Sequence, residues 1–382
     1  MIIINRPPND NFTMRLFSKV TGNINQPCNR IYVWSIVLEP NYFYVDFYTE
    51  NTELKYRKMI LENITKDLVI IGIKDHLTPG NFDPWKESKP LGIENIEALF
   101  DSYPEKTFVL FTSLENLGEY LTNKNLHIIP WGGDLTNQHR EYPKIKPVMD
   151  KDFDSPYCFI SLNRNARTHR AMMVSLLFGL GLDKTGLISC MFEIDKLPDW
   201  HFEDYQTDIR RILESGVLKL KNSELLLKDD REIYTNNNNN NTANFETKLR
   251  SRYEKTFVEI ITETSFTEKS FNLTEKTLNS IYGCNFPILL SSKGSVKFLR
   301  EMGLDMFDDI VDHSYDEIDN PIDRLHSAVS NNLTLLTNGN IVKGLWKQNQ
   351  QRFLNNIDFV KKDLYDFYYK RANIMFNDTR IK

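Results

Sequence analysis

Short apolar runs alternate with amphipathic stretches along this 382-residue chain. In its first part, the runs at 67–73 and 107–112 are mostly aliphatic and aromatic, which is typical of parallel strands buried on both faces. Further strands are predicted at 31–37, 42–48 and 126–131, and helices at 53–63, 93–103 and 114–121. This alternation of strands and helices predicts an α/β fold with a parallel sheet.

A second alternation follows in the rest of the chain. The predicted elements are a strand at 157–163, a helix at 168–180 and strands at 186–192, 257–262 and 286–290. Between the last two strands, Thr274 is a suitable N-cap for a helix that Gly283 ends. Another helix follows the second of these strands and ends at Gly303. The stretch 257–300 is therefore predicted to form a strand–helix–strand–helix unit.

The length of the chain predicts two domains, because single hydrophobic cores seldom exceed about 250–300 residues. A polar run at 134–154 is suited to the connection between them. We predict a first Rossmann-like domain over 1–150, a second over 151–340 and a C-terminal segment over 341–382 that carries a long helix. That helix is predicted at 345–376, and the six asparagines at 236–241 predict a disordered surface loop.

Charged residues cluster where the two helices of 257–300 begin. Glu263 closes the first strand, Glu275 and Lys276 fall in the first turn of one helix, and Lys293 precedes the other. Both helix N-termini are expected to open at the carboxyl edge of the sheet with free backbone N–H groups. A lysine in a first turn opposes the helix dipole, so Lys276 favours a bound phosphate there.

The same stretch contains three short motifs in a fixed order. They are Glu-Thr-Ser at 263–265, Asn-Leu-Thr-Glu-Lys at 272–276 and Gly-Cys-Asn-Phe-Pro-Ile-Leu at 283–289. Their order and spacing resemble the nucleotide-sugar half of the α1,3-fucosyltransferase-like GT-B glycosyltransferases. In that family the motifs are Glu-Asn-Ser, Tyr-Val-Thr-Glu-Lys and Ala-Gly-x-x-Pro-Val-Val.

This resemblance implies a fold of two Rossmann-like domains that face a cleft, with a C-terminal helix packing back towards the first domain. It implies inverting transfer of a sugar from a nucleotide-diphosphate sugar, such as a GDP-fucose-like donor, to an acceptor hydroxyl without a metal or cofactor. It also implies that Glu263, Thr274, Glu275 and Lys276 contribute to the nucleotide-sugar site.

A second constellation lies between the strand at 157–163 and the next helix. It contains three arginines and a histidine, and arginines can bind a diphosphate in a bidentate manner. The family has Ser-Asn-Pro-Asn-Ala-Pro-x-Arg here, which resembles Asn163 and Asn165 and leaves open whether Arg167 or Arg170 has the role of its arginine. The alternative is a basic helix start paired with local carboxylates.

A catalytic base is expected at the carboxyl edge of the first sheet. Asp75 follows the strand at 67–73, where a carboxylate could deprotonate an acceptor hydroxyl. It resembles the family's glutamate in Gly-Glu-Asn-x-x-Pro-x-Phe, because it stands four residues before Pro79. His76, Asp134 and His139 are the alternatives, and each could instead be a hydrogen-bonded loop residue.

Composition narrows the classes of partner. The net charge of −5 argues against a general nucleic-acid binder. The N-terminal residues lack the pattern of a signal peptide, and the apolar run at 172–182 is too short to span a bilayer, so we expect a cytoplasmic protein without a membrane span. The four cysteines are scattered and the acidic run at 150–154 is interpreted as solvated charge, so no metal site is predicted.

Three functions compete on this basis. The first is an inverting glycosyltransferase whose acceptor is a glycan, a protein or another hydroxyl compound. The second is a GT-B-fold nucleotide-binding protein without transfer activity, which would lack a usable base. The third is an interaction or structural protein, of the kind found in viruses, that uses the aromatic surface of its C-terminal helix.

Overall fold

The computed structural model describes residues 31–34, 68–73, 101–105, 107–112, 115, 117–119, 126–130, 142–163, 168–190, 211, 214–216, 218, 245–264, 266, 273–364, 366–368 and 370–371. The chain divides into two compact units. The first unit comprises Met1–Asn137, Glu268–Leu273 and Asp363–Lys382, and the second comprises Gln138–Thr267 and Thr274–Lys362. The domain boundaries expected at 150 and 340 stay predictions.

The first unit contains a four-stranded parallel sheet with the strand order β1-β2-β3-β4. Its strands are β1 (Ile31–Trp34), β2 (Leu68–Ile73), β3 (Thr107–Thr112) and β4 (Leu126–Pro130). Each strand is a nearly continuous apolar run, as expected for a parallel sheet covered on both faces. Asp75 and the predicted elements at 42–48 and 53–63 lie outside the described residues.

The second unit contains another four-stranded parallel sheet, with the order β6-β5-β7-β8. Its strands are β5 (Phe159–Ser161), β6 (Gly186–Ile188), β7 (Val258–Thr262) and β8 (Phe286–Leu290). The register sets Ser161 opposite Ile260 and Thr262 opposite Leu290, so the strands end along one edge. The prediction of an α/β fold with a parallel sheet is confirmed.

Helices connect and cover the second sheet. They are α1 (Thr168–Gly179), α2 (Arg250–Tyr253), α3 (Glu275–Gly283), α4 (Ser295–Met302), α5 (Pro321–Ser330), α6 (Leu333–Thr337), α7 (Gly339–Gln348) and α8 (Gln350–Lys362). Helix α3 joins β7 to β8, and α4 follows β8. Among the described residues, no helix has both the length and the apolar character needed to cross a membrane.

Helix α3 ends at Gly283, as predicted, but the reason differs from the expected one. The left-handed residue after the helix is Cys284, with φ 50°, rather than the glycine. A Cβ atom on Gly283 would lie 2.3 Å from the ring of Tyr253. The glycine is therefore needed because an aromatic ring of α2 packs directly on the backbone at the end of α3.

The C-terminal helical region differs from the single long helix predicted at 345–376. Helix α7 begins earlier, at Gly339, and is separated from α8 at Asn349. The Asn349 side chain donates to the Leu345 carbonyl at 2.8 Å and accepts from Arg352 at 2.9 Å. Asparagine competes with helical backbone bonds in this way, so it interrupts the helix without a proline or glycine.

Aromatic packing holds these C-terminal helices on the second sheet. Trp346 is fully buried and its indole N–H donates to the Cys284 carbonyl at 2.6 Å. Its ring stacks on Phe353 of α8 at 5.9 Å and meets Phe257 edge-on at 6.3 Å. Such aromatic pairs contribute about 0.5–1.5 kcal/mol each beyond area burial, so α7 and α8 belong to the core of the second unit.

A buried lysine joins several loops next to the starts of β7 and β8. The Lys151 ammonium donates to the carbonyls of Tyr253, Thr256 and Gly283 at 2.7–2.8 Å and to the Asn285 amide oxygen at 2.6 Å. Burial lowers the pKa of Lys151 to about 7, although the neighbouring Cys284, Glu259 and Glu254 oppose this shift. One side chain thus fixes the end of α2, the end of α3 and the start of β8.

Lys151 gives a testable pH dependence. Its pKa falls from an ordinary 10.5 to about 7 on folding, so between these values the unfolded chain holds a proton that the folded chain has lost. The contribution of this residue to the free energy of unfolding should therefore rise with pH across that window. Lys151→Met should remove this rise, and it should destabilise the protein because the N–H donors that these oxygens share are lost, and a buried acceptor left without a partner costs about 1–3 kcal/mol.

Urea titrations between pH 7 and 10 of the wild type and Lys151→Met measure this difference. Lys255→Met, at an exposed lysine in the same unit, is the control. A wild type and Lys151→Met with parallel pH profiles would contradict the assignment.

Candidate functional site

The site lies at the carboxyl edge of the second sheet, where Asn163 joins the strand ends. Asn163 is fully buried, and its amide oxygen accepts from the Thr262 hydroxyl at 3.0 Å. Its backbone N–H donates to the Ser189 hydroxyl at 2.7 Å, and its amide nitrogen donates to the Ser161 hydroxyl at 3.0 Å. Asn163 therefore fixes the ends of β5, β6 and β7 relative to one another, and it is not exposed to a ligand.

Glu263 is the centre of the site. It follows β7, is fully buried, and accepts from the Thr274 backbone N–H at 2.9 Å and hydroxyl at 2.6 Å. The Thr277 hydroxyl donates at 2.8 Å to Oε1, the oxygen that also accepts from the Thr274 N–H, and the Lys276 ammonium lies 3.4 Å from Oε2. These donors all come from the first turn of α3 or its N-cap. Glu263 thus attaches the helix start to the strand end.

Lys276 and Glu275 are the more accessible charges of the site. The Lys276 ammonium donates to the Thr274 hydroxyl oxygen at 2.9 Å and lies 3.6 Å from the Glu275 carboxylate. The side chains of Lys276 and Glu275 are 20% and 30% exposed, whereas Glu263 is 0% exposed. A cation and a carboxylate therefore reach the surface side by side at the N-terminus of α3.

The surroundings of Glu275 favour its charged form. Burial raises the pKa of Glu275, but the Lys276 ammonium, hydrogen bonds from its own backbone N–H and from Thr274, and the Arg170 guanidinium together hold the pKa below its ordinary value. A carboxylate with a lowered pKa is a weak proton acceptor. Glu275 is thus suited to accept hydrogen bonds from hydroxyl groups rather than to act as a general base.

Arg170 lies in the protein interior next to the site. It is 2% exposed and donates to the carbonyls of Thr262 and Glu263 at 3.2 and 3.4 Å. The neighbouring His169 lies with Nε2 at 2.9 Å from the same Glu263 carbonyl, so Nε2 carries the proton. Arg170 therefore supports the backbone around Glu263. Arg167, the alternative arginine, lies outside the described residues.

The expectation of two open helix N-termini is wrong for α4. The Asp316 carboxylate accepts from the backbone N–H groups of Val296 and Lys297, both at 3.0 Å. Lys293, expected to face an anion, pairs with Asp319 at 2.7 Å. The chain's own carboxylate thus occupies the place where an anionic ligand would bind, because it satisfies the free N–H groups of the first turn.

The structure thus brings together Asn163, Arg170, Glu263, Thr274, Glu275 and Lys276, the described members of the predicted nucleotide-sugar site. Sequence reasoning missed Thr277 and Asp316. Thr277 stands three residues after the N-cap, a spacing that places it on the same helical face, so its position was a usable signal. Asp316 had no local signal.

The expected bases lie elsewhere in the chain. Asp75 and its alternatives His76, Asp134 and His139 are all outside the described residues. Within the described part of the chain, no group of three histidine, cysteine, aspartate or glutamate side chains is placed to hold a metal ion.

Comparison of the chain with models of known protein families gives no match, and comparison with curated protein sequences gives none either. The chemistry of the site therefore rests on its own residues and contacts. Those contacts supply one partly exposed ammonium and one partly exposed carboxylate at a helix N-terminus.

The lowered pKa of Glu275 predicts a specific loss of stability in acid. A group with a lowered folded pKa stabilises the protein above its unfolded pKa, and this contribution disappears as the pH falls through the folded value. Glu275→Gln should therefore be less stable than the wild type at neutral pH, and the difference should shrink below the ordinary pKa of 4.5.

Denaturant titrations of both proteins at neutral and acidic pH test this expectation. The control is Glu301→Gln, at an exposed glutamate of α4. A difference between wild type and Glu275→Gln that stays constant with pH would show that Glu275 has an ordinary pKa.

Proposed function

We propose that this protein is an inverting, metal-independent glycosyltransferase of the GT-B type. It would transfer a sugar from a nucleotide-diphosphate sugar, such as a GDP-fucose-like donor, to an acceptor hydroxyl. The observation that carries the proposal is the Lys276–Glu275 pair at the start of α3, held by the buried Glu263. These residues occupy the positions at which the sequence resembles the nucleotide-sugar motif of the α1,3-fucosyltransferase-like enzymes.

In this proposal, the donor binds at the carboxyl edge of the second sheet. The Lys276 ammonium and the N-terminus of α3 bind the diphosphate, a role for which a helix N-terminus is suited. The Glu275 carboxylate accepts hydrogen bonds from the ribose hydroxyls. Arg167, in the four-residue connection from Asn163 to Thr168, is the candidate for a second cationic contact.

The reaction is a single displacement at the anomeric carbon. The acceptor oxygen forms a bond to this carbon while the bond to the diphosphate oxygen breaks, which inverts the configuration. The Asp75 carboxylate takes the acceptor proton, and the nucleoside diphosphate leaves with the bonding electron pair. Lys276 and the positive end of the α3 dipole stabilise the negative charge that develops on the leaving group.

The presence of two parallel sheets supports this proposal, because GT-B enzymes contain two Rossmann-like domains. Each compact unit has one four-stranded parallel sheet. The C-terminal residues Asp363–Lys382 belong to the first unit, and there the Tyr368 hydroxyl donates to Glu115 at 2.9 Å. A C-terminal segment that returns to the first domain is a feature of the proposed fold.

Nucleotide binding without transfer is the second candidate function. The observation that favours it is the balance of charge at the site, where the Lys276 ammonium lies 3.4 Å from the Glu263 carboxylate and 3.6 Å from the Glu275 carboxylate. A site with this balance can hold a nucleotide without activating it. The two functions differ in whether bound donor is consumed.

Incubation with a panel of sugar nucleotides tests the proposed function. A donor should raise the thermal unfolding midpoint and be hydrolysed slowly, releasing nucleoside diphosphate that chromatography detects. Stabilisation without consumption would favour the second candidate. If no sugar nucleotide stabilised the protein, both candidates would be excluded.

Lys276 should contribute directly to nucleoside diphosphate binding. Lys276→Met removes a charge-assisted hydrogen bond, so the binding free energy should weaken by about 1.5–3 kcal/mol. Isothermal titration calorimetry with a nucleoside diphosphate measures this loss. Lys293→Met, at the lysine before α4, is the matched control and should bind as the wild type does. Equal affinities of wild type and Lys276→Met would refute the assignment.

Asp75 should act on the acceptor rather than on the donor. Asp75→Asn removes the proton acceptor, so donor hydrolysis or transfer should slow by about 10²–10⁴-fold with donor affinity unchanged. Steady-state kinetics and calorimetry separate these two effects. Retention of the full rate would transfer the role to Asp134 or His139.

A further inference from the structure

Arg324 connects helix α5 to the chain segment between β7 and α3. It is 3% exposed, although its side chain carries a permanent charge. One guanidinium nitrogen donates to the Ile318 carbonyl at 2.8 Å, and the other donates to the Phe266 carbonyl. Because Phe266 follows Glu263 by three residues, Arg324 fixes the backbone directly after the centre of the candidate site.

The Phe266 ring also contacts two other side chains. The Arg324 guanidinium lies over it, with the central carbon 4.8 Å from the ring centroid. The ring of His169 stacks on Phe266 at 5.0 Å with 24° between the planes. His169 in turn donates to the Glu263 carbonyl at 2.9 Å. A chain of contacts therefore runs from Arg324 through Phe266 and His169 to the backbone of Glu263.

Only an arginine can make these contacts at once. Its planar guanidinium donates two hydrogen bonds in its own plane and stacks on an aromatic ring with its face. A lysine ammonium could replace one of these contacts, but not all of them. The chain of contacts therefore depends on the shape of Arg324 as well as on its charge.

Arg324 also joins the two helix starts at this edge of the sheet. Its carbonyl partner Ile318 closely follows Asp316, whose carboxylate caps α4. Its other carbonyl partner, Phe266, belongs to the connection that precedes α3. Phe266 is thereby anchored to a segment that is fixed on α4.

We propose that Arg324 is a positioning residue of the candidate donor site, which holds Glu263 so that Lys276 and Glu275 are preorganised for a nucleoside diphosphate. Arg324 itself does not touch the ligand. The part of this inference that concerns the ligand rests on the proposed function. Loss of Arg324 should loosen the backbone at Glu263 and Phe266, and ordering this backbone again would then oppose ligand binding.

Hydrogen–deuterium exchange of the intact protein tests the positioning role without a ligand. In Arg324→Gln and Arg324→Lys, the backbone amides of Glu263, Thr264 and Phe266 should exchange at least tenfold faster than in the wild type. Arg300→Gln is the matched control, since Arg300 is a more exposed arginine of the same unit that pairs with Asp308 at 2.6 Å. Unchanged exchange in both Arg324 variants would overturn the inference.

Calorimetry with a nucleoside diphosphate tests the link to the site. Arg324→Gln should bind at least tenfold more weakly than the wild type, and millimolar guanidinium chloride should restore part of the affinity where urea does not. In a Lys276→Met background, Arg324→Gln should cause little further loss, because both changes act on the same contact. Fully additive losses would show a general structural effect and overturn the inference.

The two hypotheses fail in different ways. If the wild type binds no nucleoside diphosphate, the proposed function fails, and the exchange measurement still decides whether Arg324 orders the backbone at Glu263 and Phe266. If the wild type binds and the Arg324 variants bind equally well, the positioning role fails while the proposed function stands.

Discussion

The second unit depends on one buried carboxylate. Glu263 is 0% exposed at the end of β7, and such a charge is costly unless hydrogen bonds compensate it. Its donors come from Thr274, Lys276 and Thr277, so strand and helix cannot separate without leaving the charge unpaired. Breaking such a buried pair typically costs about 3–5 kcal/mol. This constraint places the more accessible charges of the site, Lys276 and Glu275, at the start of α3.

Local sequence signals were sufficient for the elements around this carboxylate. Strands of a parallel sheet are buried on both faces, so their apolar runs stand out, and the predictions at 257–262 and 286–290 coincide with β7 and β8 to within one residue. Thr274 was recognisable as an N-cap because capping depends on residues within one turn. The grouping of Glu263, Glu275 and Lys276 followed from the common direction of parallel strands.

The contacts that sequence reasoning missed join residues far apart in the chain. Asp316 caps α4 from 20 residues away, and Lys151 reaches Asn285 across 134 residues. Hydrophobic periodicity shows which face is buried, but it does not show which polar group will satisfy a given backbone atom. The burial of Arg170 escaped prediction for the same reason, since its carbonyl acceptor on Thr262 lies 92 residues away. The helix break at Asn349 is different, because it rests on contacts within four residues.

The Asp316 cap makes the edge of the second sheet asymmetric. Two neighbouring helix N-termini could together clamp both ends of an extended anion, but here one of them is closed by a covalently attached carboxylate. If the proposed donor binds at this edge, its diphosphate is held at α3 alone, by the Lys276 ammonium, and can pivot about that point. Contacts with the uncharged parts of the donor would then set its orientation, and discrimination between ligands that share a diphosphate would fall to the residues around those parts.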